Sequence, residues 1–373
     1  MKYTLLCLIL SAFIQLPSWA QDLVYNDAKT CTQIKHGLDK MYNFEFDDAE
    51  KIFLEIKKKH PASPSYEFLM SMNGFLKVIY FNTYKEKSKE TLNWLLLALE
   101  KTKKLEAKYP KNPEVIFFYM SIYSSITLYY SQQKETMKSI NYAKKTYDYL
   151  RDGYNLKDTY HELYFSSGIY DFYREQYPET HPNYKSFMWL FASGNKVKGI
   201  QELEVAASSS IFTRIEAHSY LGLIRVKYLS LPRLALSHTE YLHKNYPRNL
   251  NFLSRHIEAL LLSEKYDEAE KLLPGLANTQ RKIYEMAFFI FKGILLEKKH
   301  KNLDLAMGHY AKAIQLAKLV EFPVNDFLGH AYIGIARIFK LKGDKEKAKL
   351  YFNKTIEKSH YTSLIKEAEA NLK

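Results

Sequence analysis

FDDAEKIF at residues 46–53 and YDEAEKLL at residues 266–273 are nearly the same octet, written twice 220 positions apart. A pattern that recurs along a chain marks one structural unit copied several times. Reading outward from Ala49, the recurring element is a small residue, an aromatic or aliphatic one four later, and an apolar or small one three beyond. Proline follows twelve residues after the small one in three places. Ala49, Phe53 and Ile56 lead to Pro61; Ala98, Thr102 and Leu105 lead to Pro110; Ala235 leads to Pro247. Ala143 with Tyr147 and Leu150, and Gly199 with Leu203 and Ala206, are weaker copies. Ala269, Ala306 and Ala348 complete a set of eight anchors, spaced by 49, 45, 56, 36, 34, 37 and 42 residues.

The physics of two packed helices accounts for these residue types. Antiparallel helices joined by a tight turn approach closely, so their crossing takes Ala or Gly, while the aromatic fills the gap toward the next pair. Asp47 or Asp48, Asp267 and Asp344 open the second helix of a pair, where a carboxylate faces unsatisfied backbone N–H groups. Proline then stops that helix. One pair cannot bury its apolar face alone, so several must stack.

Composition agrees with this reading. The 373 residues are 47% apolar, enough for a packed core, and only 13 glycines and 11 prolines interrupt them, which favours long helices over a turn-rich β fold. Tyrosine is abundant, at 31. The start, MKYTLLCLILSAFIQLPSWAQD, sets Lys2 before an apolar run from Leu5 to Ile14, with Ser18 and Ala20 spaced for cleavage. This reads as a signal peptide over 1–20. The alternative, a membrane anchor, needs ~20 apolar residues. No later stretch is long and apolar enough to span, so the mature chain is expected to have no transmembrane segment. With Cys7 inside the leader, Cys31 stands alone; no internal disulfide is available, and we read it as a buried small residue of the first helix rather than a nucleophile.

The formal net charge is +13, from 45 lysines and 9 arginines against 41 acidic residues. Lysines alternate with acids along helical faces, as in EKTKKLEAKYPK, so we read them as solvated faces and expect no nucleic-acid partner. An anionic glycan or membrane surface stays open as a ligand for the basic charge.

The last unit, AYIGIARIFKLKGDKEKAKLYFNKTIEKS, carries Tyr332, Ile335, Ala336, Phe339, Gly343, Ala348 and Phe352 in an order that resembles the tetratricopeptide repeat family. The resemblance is good over 213–360 and patchy over 24–212; the chain departs from the family in lacking the signature tryptophan near the start of each unit and in its long early helices. SSGIYDFYREQYP and FASGNKVKGIQEL are similar to mitochondrial outer-membrane relatives of that family. The resemblance implies an all-α, right-handed α-solenoid of about eight antiparallel helix pairs: a divergent region at 21–212, regular repeats at 213–373. It also implies a concave face that binds peptides or proteins without catalysis. Transferring the family's ligand-facing positions by spacing points to Tyr220, Ile224 and Lys227, then Ser254 and Glu258, then His330, Arg337 and Lys340. Such a row suits an acidic peptide or a carboxyl terminus; simple solvent exposure explains single members equally well.

Chemical motifs fail on inspection. GNKVKGI has the glycine spacing of a phosphate loop, but Ile200 and Gln201 replace the Lys and Ser or Thr that loop needs. HELYF at 161–165 begins like a zinc-protease helix, with Phe165 where the second histidine belongs. Glu45, Asp47, Asp48 and Glu50 lack the spacing and turn glycine of a calcium loop. No nucleophile elbow or paired-cysteine motif appears. Residues 171–187, DFYREQYPETHPNYKSF, break the rhythm; Pro178 and Pro182 are expected to force an extended segment. We read it as a connector packed on the neighbouring repeat, with Asp171, Arg174 and Glu175 as an exposed turn; a binding loop at the solenoid rim is the alternative.

The expectation is an exported, non-catalytic scaffold in the cell envelope or the medium that binds a protein partner and has no cofactor or metal. One rival is a carbohydrate or lipid binder that uses a tyrosine-lined groove, which would leave an aromatic row exposed. A second is an enzyme with a site assembled across repeats.

Overall fold

The computed structural model describes residues 22–81, 84–180, 185, 188–189, 191–277, 279, 281–320 and 324–373, with backbone alone at 79–81 and 84–88. The leader at 1–20 lies outside the described residues. Among these, seventeen α-helices and no strand occur. They run as pairs: α1 (Ala28–Tyr42) and α2 (Phe46–Lys59); α3 (Ser65–Phe81) and α4 (Tyr84–Lys108); α5 (Pro113–Gln132) and α6 (Thr136–Gly153); α7 (Glu162–Thr180) and α8 (Lys196–Ser209); α9 (Arg214–Lys227) and α10 (Pro232–Asn245); α11 (Leu250–Leu262) and α12 (Tyr266–Leu272); α13 (Lys282–Lys298) and α14 (Leu303–Ala317); α15 (Asn325–Leu341) and α16 (Lys345–Lys358). These are eight pairs, followed by α17 (Thr362–Leu372), which the repeat pattern did not foretell.

Both octets open the second helix of a pair, at Phe46 and Tyr266. They end differently. α2 continues to Lys59, whereas Pro274 stops α12 after Leu272 and the chain goes on as a 3₁₀ turn over Leu273–Leu276. Pro61, Pro110 and Pro247 each stand two residues past the last residue of α2, α4 and α10.

The anchors sit where close approach demands small residues. Ala49, Ala98, Gly199, Ala235, Ala269, Ala306 and Ala348 are buried, and so are Phe53, Leu203, Leu273, Tyr310 and Phe352, each four residues after one of them. Each such large side chain contributes about 1.5–3 kcal/mol by leaving water. At the glycine anchor the backbones nearly touch. A Cβ on Gly199 would lie 2.7 Å from the Gly168 carbonyl oxygen of α7.

The turns inside the pairs repeat as closely as the crossings. Four are three residues long with a left-handed central residue: Phe44 (φ 63°), Lys134 (φ 61°), Glu264 (φ 64°) and Gly343 (φ 79°). Their hydrogen bonds coincide. Glu264 N–H donates to the Leu261 carbonyl and Lys265 N–H to Leu260; Gly343 and Asp344 do the same to Lys340 and Phe339. This closes the helix end in a Schellman arrangement. Only the last turn uses glycine, the residue that takes this conformation freely.

The described residues form two compact units, those of 22–37 with Asp47–Thr146, and Leu38–Phe46 with Tyr147–Lys373. The change in repeat character expected at residue 212 falls inside the second. In the first unit, Phe68 meets Phe117 and Phe118 edge-on at 6.1 and 5.9 Å, tying α3 to α5. A small cleft of about 80 Å³ between α2, α3 and α4 is lined by Glu50, Lys77 and Trp94, with Lys77 bound to Glu50 at 2.5 Å. That is well under the ~300–1,000 Å³ of a ligand pocket.

In the second unit, first helices pack on the first helices of the neighbouring pairs from α9 to α17, as in stacked helical repeats. One sequence expectation needs correction. Pro178 lies inside α7, in its last turn, and does not start an extended segment; Pro182 is outside the described residues. Of the turn expected to be exposed, Glu175 is, whereas Asp171 and Arg174 are drawn inward. Asp171 is buried and accepts from the Tyr154 hydroxyl at 2.8 Å, and the Arg174 guanidinium donates to the carbonyls of Met188 and Phe191. Arg174 thereby holds the described end of the connector on α7, and Phe191 packs edge-on against Tyr147 at 5.1 Å.

Candidate binding face of the second unit

The buried polar side chains of α11 point in two directions: His256 meets Thr239 of α10, and Glu258 meets His330 of α15. Glu258 on α11 is buried, and three donors converge on it: Tyr361 Oη at 2.6 Å, His330 Nε2 at 3.0 Å and Arg255 Nη1 at 3.0 Å. Burial opposes its charge, but Arg255, His330 and Tyr361 outweigh that and hold the carboxyl near 2. The same face continues on α9. Lys227 pairs with Asp326 at 2.6 Å, and the other Asp326 oxygen accepts the His360 N–H at 2.7 Å. Thr362 Oγ1 donates to the Tyr228 carbonyl at 2.9 Å. The turn from α16 to α17 is thus seated against α9, α11 and the start of α15.

A second network fixes α17. Arg337 on α15 reaches Glu297 of α13 at 2.6 and 3.0 Å and both oxygens of Glu367 at 3.1 Å. Tyr310 Oη donates to Glu297 at 2.7 Å from a fully buried ring. Burial would raise the Glu297 carboxyl, yet the Arg337 guanidinium and the Tyr310 hydroxyl leave it lowered. Lys340 donates to Asn371 Oδ1 at 2.5 Å.

The positions chosen by spacing therefore fall into two groups. Ser254, Glu258 and His330 are buried, and Arg337 and Lys340 bind α17. Tyr220 and Lys227 instead belong to a row that was only partly foreseen. Phe165 and Tyr173 of α7, Tyr220 of α9 and Tyr228 just past it are half-buried and follow one another. Phe165 to Tyr220 is 5.8 Å, Tyr220 to Tyr173 is 6.3 Å and Tyr173 to Tyr228 is 5.9 Å. Lys227 Nζ lies 5.1 Å over Tyr228 and 6.0 Å from the Tyr361 ring. Tyr361 Oη is 3.3 Å from Arg255, which ends the row.

Arg255 keeps 38% of its side chain exposed and spends only Nη1 on Glu258 and Tyr361, leaving its other donors toward solvent. One turn before Tyr220, Glu216 has a buried Oε2 with no partner, and burial pushes its carboxyl up to about 8. At neutral pH that group is a proton donor. A guanidinium with spare N–H groups, a neutral carboxyl and four aromatic rings can hold an anionic oxygen ligand with an apolar neighbour.

Spacing missed Arg255 because it adjoins Ser254 on α11, and missed Tyr173 and Phe165 because the repeat is weak there. Phe165, which breaks the zinc-like HELYF pattern, packs on Tyr220. Glu162 of the same motif is buried and accepts the N–H groups of Ile211, Phe212 and Thr213, closing the start of α9. Among the described residues, no group of three or more His, Cys, Asp or Glu is arranged to hold a metal, and no helix is long and apolar enough to cross a membrane.

No family model matches the chain, and no curated protein matches it. Among solved structures, it is similar to the C-terminal part of a TPR repeat-containing protein from Cytophaga hutchinsonii, at 15% identity over 79% of this chain and 98% of that one, with a TM-score of 0.36. It is also similar to the human IFIT1 dimer with PPP-AAAA, at 14% identity over 84% of this chain and 68% of that one, with a TM-score of 0.43.

Proposed function

We propose that the chain is a non-catalytic scaffold that binds an acidic protein segment on the face running from Phe165 to Arg255. The observation that carries this reading is Arg255, a guanidinium with unspent donors that Tyr361 and Lys227 join to the aromatic row. In this reading an Asp, Glu or terminal carboxylate of the partner takes Arg255, and its apolar neighbours lie along Tyr173 and Tyr220. Lys227, Glu258, His330, Arg337 and Lys340 support the face by holding α15 and α17 in place, and Ser254 is buried beside Arg255. A nucleic-acid ligand forms no part of the proposal.

The carbohydrate alternative fits less well. The rings meet at 63°, 84° and 90°, so they turn edges and faces toward one another and present no common stacking plane. The leader at 1–20 supports export to the cell envelope or beyond; N-terminal sequencing of the mature chain should begin at Gln21, and an intact Met1 would refute export by this route.

Binding is tested on an array of peptides that differ in acidic content and terminal carboxylate. Acidic peptides should be retained, with Arg255→Glu abolishing retention and Tyr220→Ala weakening it about tenfold. Retention that ignores both substitutions, or its absence, would overturn the reading.

A further inference from the structure

The tip of the α5–α6 pair in the first unit departs from the usual arrangement of a surface helix. Met137 and Ile140 in the first turns of α6 are 70% and 54% exposed, and Leu128 on α5 is 46% exposed. Met137, Ile140 and Lys144 recur at i, i+3 and i+7, so they share one outward face. The hydrogen bond from Ser139 Oγ to the Thr127 carbonyl, at 3.2 Å, sets the register of the two helices. That register stacks Tyr142 on Tyr130 at 5.7 Å. Lys138 lies 5.0 Å over Tyr130, and Lys145 lies 5.1 Å over Tyr142.

The charge at this tip is one-sided. Residues 134–145 hold Lys134, Lys138, Lys144 and Lys145 against Glu135 alone, a net +3. Glu135 pairs with Lys138 at 2.5 Å, and no carboxylate among the described residues pairs with Lys134, Lys144 or Lys145. Three chemistries thus meet at one end of a helix pair: exposed aliphatics, tyrosines and unpaired lysines. A bilayer surface offers a counterpart to all three at the right depths. Aliphatic side chains enter the acyl boundary, tyrosines rest at headgroup level, and lysines extend along their own stems to phosphate. A polyanionic glycan or nucleic acid would answer the lysines and leave Met137 and Ile140 without a counterpart.

We propose that the α5–α6 tip is a contact for the surface of a bilayer containing anionic lipids. Met137 and Ile140 enter the outer acyl region, and Lys134, Lys138, Lys144 and Lys145 engage the headgroup phosphates. The contact lies on the membrane and does not cross it.

Vesicle flotation tests this with residues 22–373, which contain every described helix and omit the apolar leader. The chain should float with phosphatidylcholine vesicles containing phosphatidylglycerol and stay behind with phosphatidylcholine alone. K134E/K144E should lower the partition coefficient by about tenfold or more. M137D/I140D should lower it by about tenfold at unchanged lipid charge. Circular dichroism and thermal melting establish that both variants fold. Absence of flotation, or equal flotation with neutral vesicles, overturns the proposal. So does loss in K134E/K144E with full retention in M137D/I140D, which would identify a site for a soluble polyanion or acidic protein.

Discussion

Arg337 and Lys144 are both cations on helices of one repeat chain, and their surroundings are opposite. Arg337 is drawn inside the second unit, where Glu297 and Glu367 use its guanidinium on two sides. Lys144 stands on a helix face in the first unit with exposed Met137 and Ile140 and no acidic partner among the described residues. In the second unit charge serves to join first helices several pairs apart; at the α5–α6 tip it is left available. The distinction follows from burial. A paired charge removed from water becomes costly when its partner is deleted, whereas a solvated lysine can be replaced with almost no effect on folding.

The largest expected effect therefore comes from breaking the inner pair. Arg337→Ala leaves Glu297 buried with only the Tyr310 hydroxyl and the edge of Lys298 near it, and should cost about 3–5 kcal/mol in urea denaturation. Replacing both members, R337M/E297L, should recover most of that loss. If Arg337→Ala is as harmless as a surface change, the network does not hold α13, α15 and α17 together. A packing change tests the same seam through Gly334→Ala. A Cβ there would collide with the Tyr310 ring, which is fully buried between α13 and α15, and Gly293 faces the same ring from the other side at 2.6 Å. We expect a loss of about 1–3 kcal/mol from overpacking.

The pattern of crossings was legible without coordinates because it is local. Ala49, Ala98, Ala269 and Ala348 each stand four residues before a buried side chain of the same stretch, Phe53, Thr102, Leu273 and Phe352, so one helix turn records the pattern. The turns were less visible. Phe44, Lys134 and Glu264 adopt left-handed backbone where glycine would announce it, and only Gly343 does so. The inner face was mostly illegible. Glu258 and His330 are 72 residues apart and meet only because of how the intervening pairs stack, for which no single segment carries a signal. Pro178 misled for a related reason: proline disfavours helix in general, yet it is tolerated near the end of α7, where few backbone bonds remain to be lost.

Glu216 gives the comparison a pH dependence. Its folded pKa, about 8, lies above the ~4.5 of an unfolded glutamate, so protonation favours the fold. This contribution is complete below pH 4.5 and is lost as pH rises through 8. Glu216→Gln stays neutral throughout, so its stability relative to the native chain should grow from pH 5 to pH 9 by up to about 4 kcal/mol, at ~1.4 kcal/mol per pH unit between the two values. A constant difference across that range would mean the carboxyl is not held protonated. Smaller still is the turn effect. Glu264→Gly should raise stability by about 0.5–1 kcal/mol, since glycine relieves the left-handed backbone, whereas Gly343→Glu should lower it by a similar amount.

The smallest effect on stability is expected where the effect on binding is proposed to be large. Met137 and Ile140 already face solvent, so M137D/I140D removes little buried apolar area and should leave the melting temperature within about 1 °C. The same chemical change at Ile290, buried in α13 among Ile257, Phe291 and Leu295, should prevent folding, because an unpaired carboxylate would enter the core. If M137D/I140D instead lowers the melting temperature by several degrees, these side chains are covered in solution by another part of the chain or a second copy. The aliphatic face of α6 would then belong to the fold rather than to the bilayer.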